Sequence, residues 1–206
     1  MIAIVDYGVG NLFSLSSSFH AIGADVVITS APDTIRSADK IVLPGVGAFG
    51  NAAKLLRQSG LGQIVVDEAR SGKPLLGICL GMQLLLERSF EYGEHNGLGL
   101  IPGDVVPMTP VVPEGYKVPH IGWNALHFTK ESRLLRYIKE GDCVYFVHSF
   151  YADNCADSVV ATADYGKELT AAVQKGNIMG CQFHPEKSGE VGLNILRAFC
   201  ETEENT

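Results

Sequence analysis

Short apolar runs at residues 2–6, 25–29, 40–43 and 74–78 alternate with stretches of helical spacing, and this leaves few folds open. The runs carry apolar residues at successive positions, so both of their faces are to be covered. Strands of that kind, separated by helices, belong to a parallel sheet with helices on both faces. Residues 12–22 read as a helix stopped by Gly23, and residues 55–70 as two helical pieces broken near Gly60 and Gly62. After about residue 98 the pattern changes. Pro102, Pro107, Pro110, Pro113 and Pro119 interrupt short β-rich pieces, and the next helix expected is 133–139. Runs 144–147, 159–163, 170–174 and 178–182 read as strands, and 191–200 as a closing helix. The expectation is one α/β domain over residues 1–206, mostly parallel, with a mixed or antiparallel C-terminal part.

Charge and cysteine usage narrow the function classes. Sixteen Lys and Arg stand against 23 Asp and Glu, with no basic run of the kind that neutralises phosphate backbones, so nucleic acid is not an expected partner. No window approaches the 18 or so apolar residues of a membrane span. The N-terminus lacks the basic and apolar segments of a signal peptide. The five cysteines, at 79, 143, 155, 181 and 200, form no C-x-x-C pair, which argues against a disulfide framework or a zinc ribbon. A cytoplasmic chain without metal or cofactor is the expectation.

Gly77-Ile78-Cys79-Leu80-Gly81 ends an apolar strand and opens the helical stretch 82–88. A sharp strand-to-helix turn with flanking glycines exposes a nucleophile in a strained conformation, as in G-x-S-x-G elbows. The helix N-terminus beyond it favours a thiolate. The pattern by itself also suits a small buried cysteine, which is how Cys143, Cys155, Cys181 and Cys200 are read. The second segment decides between the two. About a hundred residues on, Gln182-Phe183-His184-Pro185-Glu186 follows a strand; in extended chain, positions two apart face the same way, so His184 and Glu186 can serve one site. His184 would take the thiol proton and Glu186 would fix its tautomer. Leu43-Pro44-Gly45-Val46-Gly47 follows another strand, and amides at Gly45, Val46 or Gly47, with that of Leu80, would cradle an oxyanion. Gln83 lies one helical turn from Cys79 and faces the same mouth.

Together these residues resemble the triad-type glutamine amidotransferases: G-I-C-L-G-M-Q, a late His-Pro-Glu and an early Pro-Gly-Val-Gly occur in that family's order. Further blocks narrow the resemblance to the branch that forms the glutaminase subunits of imidazole glycerol phosphate synthase. They are Asp6-Tyr7-Gly8-Val9-Gly10-Asn11-Leu12, Gly97-Leu98-Gly99-Leu100-Ile101, Pro119-His120-Ile121-Gly122-Trp123-Asn124, Tyr145-Phe146-Val147-His148-Ser149-Phe150 and Lys187-Ser188 after the His-Pro-Glu. The resemblance implies a flavodoxin-like fold and a (β/α)8-barrel cyclase partner. It implies glutamine hydrolysis through a glutamyl thioester, with ammonia passed to the cyclase to make imidazole glycerol phosphate and aminoimidazole carboxamide ribotide. It places glutamine near Gln83, His148, Ser149 and Phe150, and the partner near Asn11, His120, Trp123 and Lys187. It also implies that backbone rotation around Gly45 to Gly47 switches the oxyanion hole on when the partner holds its ligand. Rival readings are a glutaminase serving another synthase, a stand-alone Cys-elbow hydrolase, and a non-catalytic regulatory subunit that kept the fold.

Overall fold

The computed structural model describes residues 1–202. Its first half repeats strand and helix: β1 (Ile2–Val5), α1 (Leu12–Ala21), β2 (Val26–Thr29), α2 (Pro32–Ser37), β3 (Lys40–Leu43), α3 (Phe49–Gln58), α4 (Leu61–Arg70), β4 (Leu75–Ile78) and α5 (Leu80–Leu84). The second half is β-rich: β5 (Arg88–Ser89), β6 (His95–Asn96), β7 (Asp104–Pro107), β8 (His120–Ala125), β9 (His127–Phe128), β10 (Cys143–His148), β11 (Phe150–Asp153), β12 (Val159–Asp164), β13 (Glu168–Lys175) and β14 (Ile178–Cys181), closed by α6 (Gly189–Cys200).

Eight strands form the main sheet in the order β2-β1-β3-β4-β14-β13-β12-β9. From β2 to β14 neighbours are parallel, and from β14 to β9 they are antiparallel. The expected α/β fold with an antiparallel C-terminal part is therefore what the chain adopts. Period-two alternation divides the inner strands between two cores. Ala3, Val5, Ile41, Leu43 and Leu75 pack beneath the helix pair α3 and α4, with Phe49, Leu56 and Val65. Ile2, Ile4, Val42, Leu76 and Ile78 pack on the other face with Phe19, Ile195, Leu196 and Phe199 from α1 and α6. The chain order reverses between β1 and β3, and ligands of open α/β sheets bind beyond the carboxyl ends of strands near such a reversal. Two smaller sheets, β10-β8 and β11-β7-β5-β6, complete the second half.

Four helix expectations change. The first of the two helical pieces expected within 55–70 begins earlier, at Phe49. The six-residue α2 was not anticipated; it opens on Pro32, whose missing N–H costs nothing in a first turn. The helix after the elbow starts at Leu80 and ends at Leu84 instead of covering 82–88. The carbonyls of Leu84, Leu85 and Leu86 accept the N–H groups of Leu98, Leu100 and Gly99, so the returning loop takes the bonds that another helical turn would need. The helix expected at 133–139 is a single 3-10 turn, Arg133–Leu135, capped by the Ser132 hydroxyl.

Candidate active site

Cys79 sits directly after β4 with φ 54° and ψ −111°, a left-handed conformation that a side-chain-bearing residue occupies at a cost of about 1–3 kcal/mol. The surroundings enforce it. Its N–H donates to the carbonyl of Cys181 (2.8 Å), on the adjacent β14, and its carbonyl accepts the Gln83 N–H (3.1 Å). Both flanking glycines are required by close backbone approach. A Cβ on Gly81 would lie 1.8 Å from the Leu43 carbonyl oxygen, and one on Gly77 would lie 2.7 Å from that of Gly81. The turn is thus wedged between the end of β3 and its own helix.

β4 and β14 are parallel neighbours with Ile78 beside Cys181, so the chain that leaves β14 passes next to the elbow. His184 lies there, held by its backbone N–H on the Tyr145 carbonyl (2.9 Å) and by the Ser188 hydroxyl on its own carbonyl (2.7 Å). Its Nδ1 meets Glu186 Oε1 at 2.8 Å, and both side chains are only 3% exposed. The pairing was expected from extended chain. Instead His184 is extended and Pro185–Lys187 forms a 3-10 turn, which folds the carboxylate back onto the ring. With Nδ1 committed to Glu186, Nε2 is left to face Cys79. Burial disfavours the imidazolium, but hydrogen bonds to Cys79 and Glu186 and the negative charge of both outweigh it, and His184 is raised from 6.5 to about 9.

That elevation has a testable sign. Between pH 6.5 and 9 the folded state keeps a proton on His184 that the unfolded chain has released, so this contribution is whole below 6.5 and is lost as pH rises through about 9. In Glu186→Gln the anionic acceptor is gone. The His184 ring, followed by NMR, is expected to titrate lower than in the wild type, and stability is expected to fall less over the same window. An unmoved titration would mean that the carboxylate is not coupled to the ring.

The thiol and His184 open on a pocket of about 310 Å³ lined also by Val46, Gly47, Leu80, Gln83, Glu91, Pro119 and residues 147–150. Leu80 is in the first turn of α5, where N–H groups have no helical acceptor. Gly47 has φ +93°, and a Cβ there would meet nothing within 4 Å. The loop before it is pinned: the Tyr7 hydroxyl donates to the Pro44 carbonyl (2.7 Å), and a Cβ on Gly45 would lie 2.8 Å from the Gly81 nitrogen. Burial and the nearby Cys79 keep the Tyr7 phenol well above its usual range, and so a donor.

A family model described as Glutamine amidotransferase class-I matches residues 3–202. The chain belongs to the class-I glutamine amidotransferase family. Imidazole glycerol phosphate synthase subunit HisH of Methanothermobacter thermautotrophicus is 51% identical to it over 201 residues, covering 98% of each chain. The protein of the same name from Wolinella succinogenes is 47% identical over 203 residues, covering 98% of this chain and 99% of that one. Among solved structures, a glutamine amidotransferase aligns with TM-score 0.75 at 18% identity over 97% of this chain and 99% of its own. A chain of PurLQS from Thermotoga maritima aligns with TM-score 0.75 at 21% identity over 96% of each. These two are likenesses of fold.

In this amidotransferase, Cys79, His184, Val46, Gly47, Leu80, Gln83, His148, Ser149 and Phe150 all reach the pocket wall. Glu186 stands behind His184, and Gly45, in the same loop as Val46 and Gly47, packs against the elbow and is not on the pocket wall. His148 borders the pocket, yet both its ring nitrogens are occupied, Nδ1 by the Phe150 carbonyl (2.9 Å) and Nε2 by His120 Nδ1 (3.2 Å). His120, expected near a partner, is buried: its ring stacks between Phe146 and Tyr165, so its side chain lies under the surface. Desolvation lowers both His120 and His148 to about 4, which leaves them neutral. Asn11, Trp123 and Lys187 are exposed. Five residues at the site were not foreseen, one of them Val147, at the end of β10 beside His148. Tyr7 and Gln182 act through contacts between distant segments. Glu91 comes from the loop between β5 and β6, and Pro119 stands just before β8, where the sequence shows only short β-rich pieces broken by prolines.

Proposed function

We propose that this chain hydrolyses glutamine to glutamate and ammonia with Cys79 as nucleophile, His184 as acid and base, and Glu186 as the orienter of His184. One observation carries this: a strained cysteine and a buried, carboxylate-backed imidazole open together on one pocket. Sγ adds to the side-chain amide carbon, and the displaced electron pair collects on oxygen, where amides of Val46, Gly47 and Leu80 can donate. Proton transfer from His184 lets nitrogen leave as ammonia and the C–N bond breaks, giving a glutamyl thioester. Water deprotonated by His184 then cleaves the thioester, releasing glutamate and restoring the thiol. Glu91, the one carboxylate among the described residues that line the pocket, suits the α-ammonium of glutamine. The Phe49 N–H donates to Glu91 Oε2 and fixes it there.

The chain is the glutamine amidotransferase subunit of imidazole glycerol phosphate synthase, in histidine biosynthesis. Its ammonia goes to a cyclase subunit, for which we take a (β/α)8 barrel. Ammonia protonated in bulk water is no nucleophile, so its production and use are to be coupled by contact. Trp123 supports such a contact. It is 65% exposed, beside Ile121 at 59% on the same face of β8, and its ring packs edge-on against Tyr145 at 4.9 Å. Lys187 Nζ lies 5.5 Å from the centre of that Tyr145 ring, so the patch runs to the turn that carries Glu186. Trp123→Ala is expected to weaken association with the cyclase by about 2 kcal/mol, a loss typical of an aromatic anchor, without unfolding the chain. Titration calorimetry with purified subunits measures it; unchanged affinity would move the contact elsewhere.

The deciding experiment is a glutaminase assay of the chain alone, then with the cyclase and its nucleotide. Stimulation by both is expected. Activity indifferent to the cyclase would favour a stand-alone hydrolase or a glutaminase of a different synthase.

A further inference from the structure

Gln182 is fully buried two residues before His184, with its backbone N–H tied to the Ala171 carbonyl (2.8 Å). Its carboxamide is the last link in a chain of hydrogen bonds that ends on the nucleophile. The Phe150 carbonyl can only accept, so the Gln83 atom that meets it at 3.1 Å is nitrogen. The same nitrogen gives its other N–H to Gln182 Oε1 at 3.0 Å. Gln182 Nε2 is therefore the atom turned toward Cys79 Sγ, at 3.7 Å. His148 Nδ1 also donates to the Phe150 carbonyl, and His120 donates to His148, so the anchoring oxygen is held from the β8 side as well.

Resting on the glutaminase reading above, we propose that Gln182 is a positioning residue for the nucleophile: the chain from Phe150 through Gln83 fixes its amide so that an N–H faces the sulfur, favouring the anion over the thiol. An amide turned the other way would set oxygen lone pairs against that charge. The direction is imposed from a distance, because a backbone carbonyl at the head of the chain cannot become a donor. A merely structural role, in which Gln182 only satisfies its own buried polar atoms, would be indifferent to what Sγ carries.

The test reads sulfur chemistry directly and needs no glutamine turnover. Iodoacetamide labelling of Cys79 in the full chain, resolved from the other cysteines by mass spectrometry, gives a rate against pH. Gln182→Met keeps the volume and removes the N–H. Its half-maximal pH is expected to move up by about one unit, with about tenfold slower labelling at neutral pH, in line with loss of one hydrogen bond to a charged group. Gln182→Glu keeps the shape and presents an anion, and is expected to move the midpoint up further. The other titratable groups around the site, His184 with Glu186, Tyr7, Cys181, Glu91 and His148, are the same in all three proteins. A midpoint unmoved in the glutamate variant would overturn the proposal even if the methionine variant fails to fold. If the wild type failed to hydrolyse glutamine, the glutaminase reading would fall, while the midpoint shifts would still decide the role of Gln182.

Discussion

Cys79→Ala, assembled with the cyclase, is expected to make no detectable product from glutamine while making it at a near wild-type rate when ammonium salt is supplied. The sulfur is the only atom removed, and alanine inherits the same backbone strain, so the turn, the pocket and the exposed Trp123 patch persist. What is lost is the covalent step. Groups acting as one catalytic unit lose several orders of magnitude when any one of them is deleted, so the residual glutamine-driven rate should fall to background. Parallel assays with the two nitrogen sources measure this. Loss of both activities would assign Cys79 to the structure of the complex, and a reduction of only a few fold would remove it from the chemistry.

Gly81→Ala is expected to be the most damaging single methyl in the described chain. Its Cβ would sit 1.8 Å from the Leu43 carbonyl oxygen, on backbone that is hydrogen-bonded in the middle of the sheet. Relief means parting β3 from the elbow, at a cost of about 3–5 kcal/mol, which lowers the melting temperature by about 10 °C for a chain of this length. Gly23→Ala is the control. Gly23 has φ +79° but nothing within 4 Å of a Cβ, so it incurs backbone strain alone, about 1 kcal/mol. Calorimetric melting of the two variants separates steric exclusion from left-handed strain; equal, small losses would show that the Leu43-Pro44 loop gives way.

The parallel half of the fold was legible because β1, β3 and β4 are buried on both faces and appear as unbroken apolar runs between helical stretches; the edge strand β2 reads the same way in sequence but is only half-buried, with Ile28 exposed. The segment before His184 was legible for the same reason, through residues 178–182. Short structures were not: α2 has too few residues to show a period, and the helix after the elbow was overextended because its end is set by loop 97–101, which is remote in sequence. At the site, the turn at Cys79 and its glycines is a local pattern, but only the distant His184 segment told it from a small buried cysteine. The His184–Glu186 contact was anticipated from the right residues with the wrong backbone, since an extended chain was expected where Pro185 opens a 3-10 turn. Gln182 and Tyr7 carry no local mark. Their partners, Gln83 and Pro44, become neighbours only through the strand order.

β14 is one of the last strands in the chain and yet lies in the interior of the sheet, between β4 and β13. Until it inserts, the thiol has neither its imidazole nor the carbonyl of Cys181 that anchors its turn. A nascent or C-terminally truncated polypeptide would therefore be chemically inert even with its first four strands in place. Such long-range pairing also makes for slow folding. Competence to consume glutamine would thus arrive late in maturation, only once β14 has paired with β4.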